Sequence, residues 1–306
     1  MNLSQRRQSG IAAWLRGAAM AACLCAAASS SAQAGTLILV PEGPVTLIRG
    51  TTVFDAEAPF IAAPGDMLAT DAHEGAQLED SNGTLLALGP QTRLAIAPTP
   101  RAPGADGSVT LSLLTGWVKI SRPPAAPQGT WTIDTPALHT GISHGSAVIH
   151  TSSAATALFV ETGSVETSLP DTATAPLNVA ADRYLERDVG KPPVPLARPR
   201  AAFVSELPVS FRDPLAASAR RAQKVVTPTQ GRLVAYAEIA DWLACSLPVR
   251  KTMVARFRPL AHSEPFRTQI RLNLRALPEW RPILYPPPPP VPPHRPPLSY
   301  KSAEDS

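Results

Sequence analysis

The chain has 306 residues, of which 44% are hydrophobic and 17% charged, enough apolar content for one large core or two modest ones. Its 35 prolines are more than double the roughly 5% usual in proteins, yet proline and glycine together stay below the quarter or more that marks disorder throughout. The formal net charge is a modest +4, and no apolar run approaches the roughly 18 residues of a membrane-spanning helix, which excludes a protein with several such spans.

Residues 1–34 show the three zones of an export signal. Arg6, Arg7 and Arg16 supply positive charge without an acid among them, Gly17 to Ala28 is a short run of small apolar residues, and Ala32-Gln33-Ala34 is a small-x-small cleavage pattern. The mature chain is therefore expected to begin near Gly35 and to be periplasmic or secreted. Cleavage would remove Cys23 and Cys25 and leave Cys245, which allows no internal disulfide and no cysteine-based metal or redox site. Cys245 lies in a helical apolar pattern and reads as a buried thiol.

Residues 35–190 read as an all-β domain. Val109, Leu111 and Leu113 alternate with Thr110 and Ser112, Leu94 and Ile96 flank Ala95, and Val118 and Ile120 flank Lys119. Turn signals separate such runs at Pro64-Gly65-Asp66, Ser81-Asn82-Gly83, Thr115-Gly116 and Thr162-Gly163. Asn82-Gly83 is the strongest hairpin signal, because both residues tolerate positive φ. Strands every 8–12 residues without helices between them predict a sandwich, barrel or solenoid.

A proline-rich linker is expected over 191–212, marked by Pro192, Pro193, Pro195 and Pro199. Residues 213–285 change period. Leu233, Tyr236, Ala237, Ala240, Leu243 and Ala244 recur at helical spacing, followed by Val249, Met253, Val254 and Phe257, then Phe266, Ile270, Leu274 and Leu277. Pro248, Pro265 and Pro278 stand where helices can begin, with Ser263 as an N-cap candidate. The prediction is a small three-helix domain with a final turn at 279–284. Residues 286–306 read as a disordered polyproline tail, either an adaptor ligand, a spacer or a plain tail.

Charge divides the mature chain. Residues 35–197 hold 8 Lys+Arg against 16 Asp+Glu, a net of −8, and residues 198–306 hold 17 against 8, a net of +9. The asymmetry predicts either different partners for the two parts or docking of the acidic β domain on the basic helical one. Arg267, Arg271 and Arg275, four residues apart, form a candidate anion-binding face on one helix. Lipopolysaccharide or another envelope polyanion fits it; export argues against nucleic acid.

Two patterns suggest chemistry and are read as bland. Gly141-Ile142-Ser143-His144-Gly145 matches G-x-S-x-G, but a strand-like run follows where a nucleophile elbow needs a helix, so no catalytic residue is assigned. His139, His144 and His150 crowd into twelve residues, yet they read as separate polar positions, so no metal or other cofactor is assigned.

The order of turns in the β segment resembles the FecR domain, a periplasmic module named after the ferric-citrate regulator. The elements are Gly65-Asp66-Met67-Leu68-Ala69-Thr70, the turn Asn82-Gly83-Thr84, Leu113-Leu114-Thr115-Gly116-Trp117-Val118, Ile133-Asp134-Thr135-Pro136-Ala137 and Phe159-Val160-Glu161-Thr162-Gly163-Ser164-Val165. Where the family often has Arg-Gly-Thr, this chain has His144-Gly145-Ser146, which keeps the glycine turn and loses the arginine. The resemblance covers about residues 65–167 and implies a mainly β module that binds or senses rather than catalyses. It also implies structural roles for Gly65, Asp66, Asn82, Gly83, Gly116, Thr135, Pro136, Gly145 and Gly163. The resulting expectation is a non-enzymatic exported protein of envelope sensing, signalling or protein–protein interaction. The alternatives are attachment to peptidoglycan or lipopolysaccharide and, if the N-terminus stays uncleaved, a membrane-anchored regulator of iron-uptake signalling.

Overall fold

The computed structural model describes residues 36–98, 107–126, 128–219 and 224–286. The export-signal segment, its cleavage site and residues 287–306 of the proline tail lie outside the described residues.

The first eight strands are β1 (Leu37–Pro41), β2 (Val45–Arg49), β3 (Thr52–Ala56), β4 (Phe60–Ala62), β5 (Met67–Thr70), β6 (Ala76–Asp80), β7 (Leu85–Leu88) and β8 (Arg93–Ile96). The remainder are β9 (Val109–Arg122), β10 (Trp131–Asp134), β11 (His139–Ile142), β12 (Gly145–Thr151), β13 (Ala155–Ser168), β14 (Leu177–Ala180), β15 (Arg183–Asp188), β16 (Val194–Leu196) and β17 (Gly231–Leu233). They form two sheets. The first runs β4-β1-β6-β7-β9-β12-β13-β15-β16. The second runs β17-β3-β2-β5-β8-β9-β10-β11-β13-β14, with β9–β10 its parallel pair. Of the three architectures expected, the chain takes the sandwich.

Strands β9 and β13 belong to both sheets. Thr115-Gly116 and Thr162-Gly163, expected to be turns, are instead the bends at which these 14-residue strands pass from one sheet to the other. Gly116 has φ +99° and Gly163 φ +78°, where an L side chain is strained. The Asn82-Gly83 signal does mark a hairpin, between β6 and β7, but positive φ falls on Gly83 alone, and the Asp80 side chain accepts the Asn82 and Thr84 amides at 2.8 Å to close the turn.

The central core lies between the sheets. Leu39, Leu78, Leu86, Val118, Ile120, Ile149 and Leu158 of the first meet Leu47, Leu68, Leu94, Leu111, Leu113 and Ile133 of the second. Both outer faces are also covered. Ile48, Met67, Ala95 and Leu114, each next in sequence to a central-core position, and Val53, which pairs with Ile48, point out of the second sheet into a helical layer. Trp117, Val148, Ala157 and Tyr184 point out of the first sheet towards Phe203 and Phe211. This explains the adjacent apolar pairs Leu47-Ile48, Met67-Leu68, Leu113-Leu114 and Val148-Ile149, which no strand with one wet face would carry.

The helices are α1 (Ala201–Glu206), α2 (Tyr236–Ala244), α3 (Arg250–Phe257), α4 (Glu264–Leu272) and α5 (Arg281–Leu284). Trp242, Phe257, Phe266 and Trp280 are buried among them. Leu233, read into the first predicted helix, instead ends β17 and is two-thirds exposed, because the chain first pairs with β3. Among the described residues, sandwich and helices lie in one compact unit. The segment read as a linker is extended at β16, where Pro195 sits on a sheet edge that needs no further donor. From Ala201 to Phe211 it folds back onto the first sheet, drawn by its two phenylalanines.

Candidate functional site

The family-motif residues are built into the frame. Gly65, Gly83, Gly116, Gly145 and Gly163 all have positive φ. Asp66, 1% exposed, receives Arg49 Nε at 2.9 Å, Arg49 Nη2 at 2.6 Å and the Ala63 amide at 2.8 Å. The Asp66 hydrogen bond raises the Arg49 pKa. Thr135 closes the β10–β11 turn through Leu138, and its hydroxyl accepts from Thr156 Oγ1 at 2.9 Å; Pro136 follows it in that turn.

Beside Asp66, a cavity of about 300 Å³ opens between the sandwich and α3, lined by Arg49, Gly65, Asp66, Thr252 and Arg256 among others. Arg256 fixes the two walls together. It donates to the carbonyls of Gly50 at 2.7 Å and Ile48 at 2.8 Å and to that of Gly65. Burial lowers its pKa to about 10, so it is charged at neutral pH. Two ion pairs cross this junction among the described residues, Arg93 of β8 with Asp241 of α2 and Arg232 of β17 with Glu238 of α2, and the first reverses the charge order expected for docking. The helical layer thus meets the acidic sandwich through an apolar core and carbonyl acceptors.

Arg267 and Arg271 lie on α4, but the helix ends at Leu272, so Arg275 stands in the turn beyond and does not continue their row. Arg267 Nη2 donates to the Leu284 carbonyl at 3.4 Å, and its Nε is buried without a partner. Arg271 and Arg275 are exposed, as are Arg258 and Arg281, and none of the four has an acidic partner among the described residues.

The three histidines have separate surroundings. His139 pairs with Asp134 across the β10–β11 hairpin, which raises its pKa. His144 is exposed in the turn before β12. His150 stacks on Trp117 with ring centroids 4.0 Å apart, and burial lowers its pKa. Ser143 lies between β11 and β12, with its hydroxyl 3.3 Å from that of Thr130; this is strand–turn–strand geometry and no nucleophile elbow. Cys245 is buried, and its thiol donates to the Trp242 carbonyl at 3.2 Å.

The most concentrated polar recognition lies on the outer face of the first sheet, which the residue pattern hardly signals. Lys119 of β9 is 2% exposed. Its ammonium bonds Glu161 Oε1 at 2.8 Å and the carbonyls of Phe211 at 2.8 Å and Asp213 at 3.0 Å. Glu161 also accepts from Ser146 Oγ at 2.6 Å. On β6, Glu79 Oε1 accepts the amides of Ser218 at 2.5 Å and Ala219 at 2.9 Å, and Gln77 donates to the Ala216 carbonyl at 3.0 Å. Burial alone would raise the Glu79 pKa, but the Ser218 and Gln77 bonds hold it below the ordinary value. A lysine inside the strand run 117–120 was the available signal, since it interrupts a strand whose neighbours are buried on both faces.

Residues 66–166 match the family model described as FecR protein. This segment, a FecR-family domain, is the middle of the sandwich, from β5 to the second half of β13. A search of curated proteins finds no match. Among solved structures, two crystal structures of a candidate anti-sigma factor from Parabacteroides distasonis ATCC 8503 are similar, each at 14% identity and TM-score 0.36 over 45% of this chain. The chain spans 62% of the length of those structures.

Proposed function

We propose that the protein is a non-enzymatic envelope protein of sensing, signalling or protein–protein interaction, exported and cleaved near Ala34/Gly35. The FecR-family match over residues 66–166 is the observation that carries this reading. The occupied environments of Ser143, His139 and His150 fit a binding module better than a catalytic one. Export rests on the basic, apolar and small-residue zones of the first 34 residues. Intact mass and cell fractionation test it. A chain that starts near Gly35 in the soluble periplasmic or secreted fraction is expected, and crosslinking should then trap a defined protein partner. A full-length chain in the inner membrane would overturn the reading and leave a membrane-anchored regulator in its place.

A second reading, attachment to an envelope polyanion, is favoured by the exposure of Arg258, Arg271, Arg275 and Arg281, none of which forms an ion pair among the described residues. Co-sedimentation with lipopolysaccharide or purified peptidoglycan separates it from the first.

A further inference from the structure

We infer that the outer face of the first sheet is a peptide-binding groove, held in this structure by residues 201–219 of the same chain, and that its partner is a peptide with an aromatic anchor on a tight turn followed by an extended run. The inference deepens the protein-interaction reading.

The way 201–219 is held supports it. The segment forms no strand pairing with the sheet. Of its nineteen residues only Phe203 and Phe211 are buried, and Val204 and Val209 point to solvent at 53% and 74% exposure. Phe203 sits against Trp117 and Tyr184 at centroid distances of 5.0 and 5.2 Å. Phe211 enters beside Gly89, where a Cβ would come within 3.0 Å of Pro208 Cγ, 3.6 Å of Phe211 Cζ and 2.9 Å of Trp117 Cβ. The absence of a side chain at residue 89 therefore shapes the cradle. From Phe211 onward, the sheet reads mainly backbone. Lys119 takes the carbonyls of residues 211 and 213, Gln77 that of 216, and Glu79 the amides of 218 and 219, with one further bond from the Ser218 hydroxyl.

Bonds aimed at the backbone, with pockets for a few side chains, let a surface hold a peptide without fixing most of its sequence. The bonding groups also argue against a permanent seam. Buried charges gain little net stability over apolar packing, and a strap meant only to close the face would do better with more apolar anchors. With the strap off, Lys119 keeps Glu161 and Glu161 keeps Ser146, so the emptied groove remains a paired polar surface. The resident strap is thus a tethered ligand, and a partner segment must present carbonyls to Lys119, amides to Glu79 and an aromatic ring to the Gly89 cradle.

Trans binding tests this without any natural partner, so its failure is separate from failure of the envelope-interaction reading. A fluorescein-labelled peptide of residues 201–219 is titrated into the mature chain and its variants. Phe211→Ala weakens the resident strap and leaves the groove intact; it should bind the peptide at least tenfold more tightly than the unaltered chain does. Adding Lys119→Met should remove that gain. No gain in a folded Phe211→Ala chain, or a gain that survives Lys119→Met, overturns the inference. Should Phe211→Ala not fold, hydrogen exchange on the unaltered chain decides. Ser218 and Ala219 amides that exchange at least a hundredfold faster than those of Val118 and Ile149 support a strap that opens locally, and equal protection overturns it.

Discussion

Gly145 and Gly163 face each other across β12 and β13 so closely that a Cβ on either would stand 3.1 Å from the other's Cα. Both have positive φ, and the Gly145 Cβ would also fall 2.2 Å from the Thr162 carbonyl oxygen. Gly145→Ala therefore adds a collision to the cost of the left-handed backbone and should lose ~2–4 kcal/mol of stability. Gly50, with φ +59° and nothing within 4 Å of its Cβ position, provides the control: Gly50→Ala should lose about 1 kcal/mol from backbone strain alone. Urea denaturation compares them, and equal losses would mean that the close approach is unimportant.

Arg256 joins the helical layer to the sandwich through three carbonyls. Arg256→Ala removes every donor and leaves those acceptors at a partly buried junction, which should cost ~2–4 kcal/mol. Arg256→Lys should recover little, because one ammonium cannot reproduce the planar spread of a guanidinium. Apart from the solvent-exposed Arg93–Asp241 and Arg232–Glu238 pairs, which salt screens at little cost, the junction is apolar, so raising the salt concentration should hardly shift the melting temperature of the unaltered chain. A large fall in Tm with salt would instead show that charge attraction holds the helices in place.

The fold class was legible because alternation and turn residues are local. Asn82-Gly83 and Pro64-Gly65-Asp66 announced chain reversals and stand at them, and the three helical periods stand within a few residues of α2, α3 and α4. Thr115-Gly116 and Thr162-Gly163 carried the same signal but mark bends, because a positive-φ glycine serves a turn and a sheet-to-sheet crossing equally well. The strap was not legible. Its two phenylalanines are eight residues apart in a proline-rich stretch, and what holds them is supplied by Trp117, Tyr184 and Gly89, which are distant in sequence. The arginine row was only half legible: its period continues past Leu272, where the helix stops.

Acid should loosen the strap through Glu79. The folded-state pKa of this carboxyl lies below the ordinary value of 4.5, so the ionised form is favoured by folding. Its contribution is complete above pH 4.5 and is lost as the pH falls through the folded value. The groups that face it are Gln77, the Ser218 hydroxyl and amide, and the Ala219 amide. Nuclear magnetic resonance should show the Ser218 and Ala219 amides shift together below pH 4.5 while the Val118 amide stays fixed. In Glu79→Gln that transition should vanish; a transition that persists there would assign it to another carboxyl.

The exposed arginines separate the two functional readings. Arg271 and Arg275 make no ion pair among the described residues, so the double change Arg271→Glu, Arg275→Glu should leave folding stability within ~0.5 kcal/mol. If the helical layer meets an envelope polyanion, the reversal should lower affinity for lipopolysaccharide vesicles at least tenfold and flatten its dependence on salt, because charges at the contact have changed sign. A protein-interaction role carried by the first sheet predicts no such loss, since Lys119, Glu79 and the Gly89 cradle lie on the opposite outer face of the sandwich from the helices. Undiminished vesicle binding in a stable variant would remove the arginines from the contact surface.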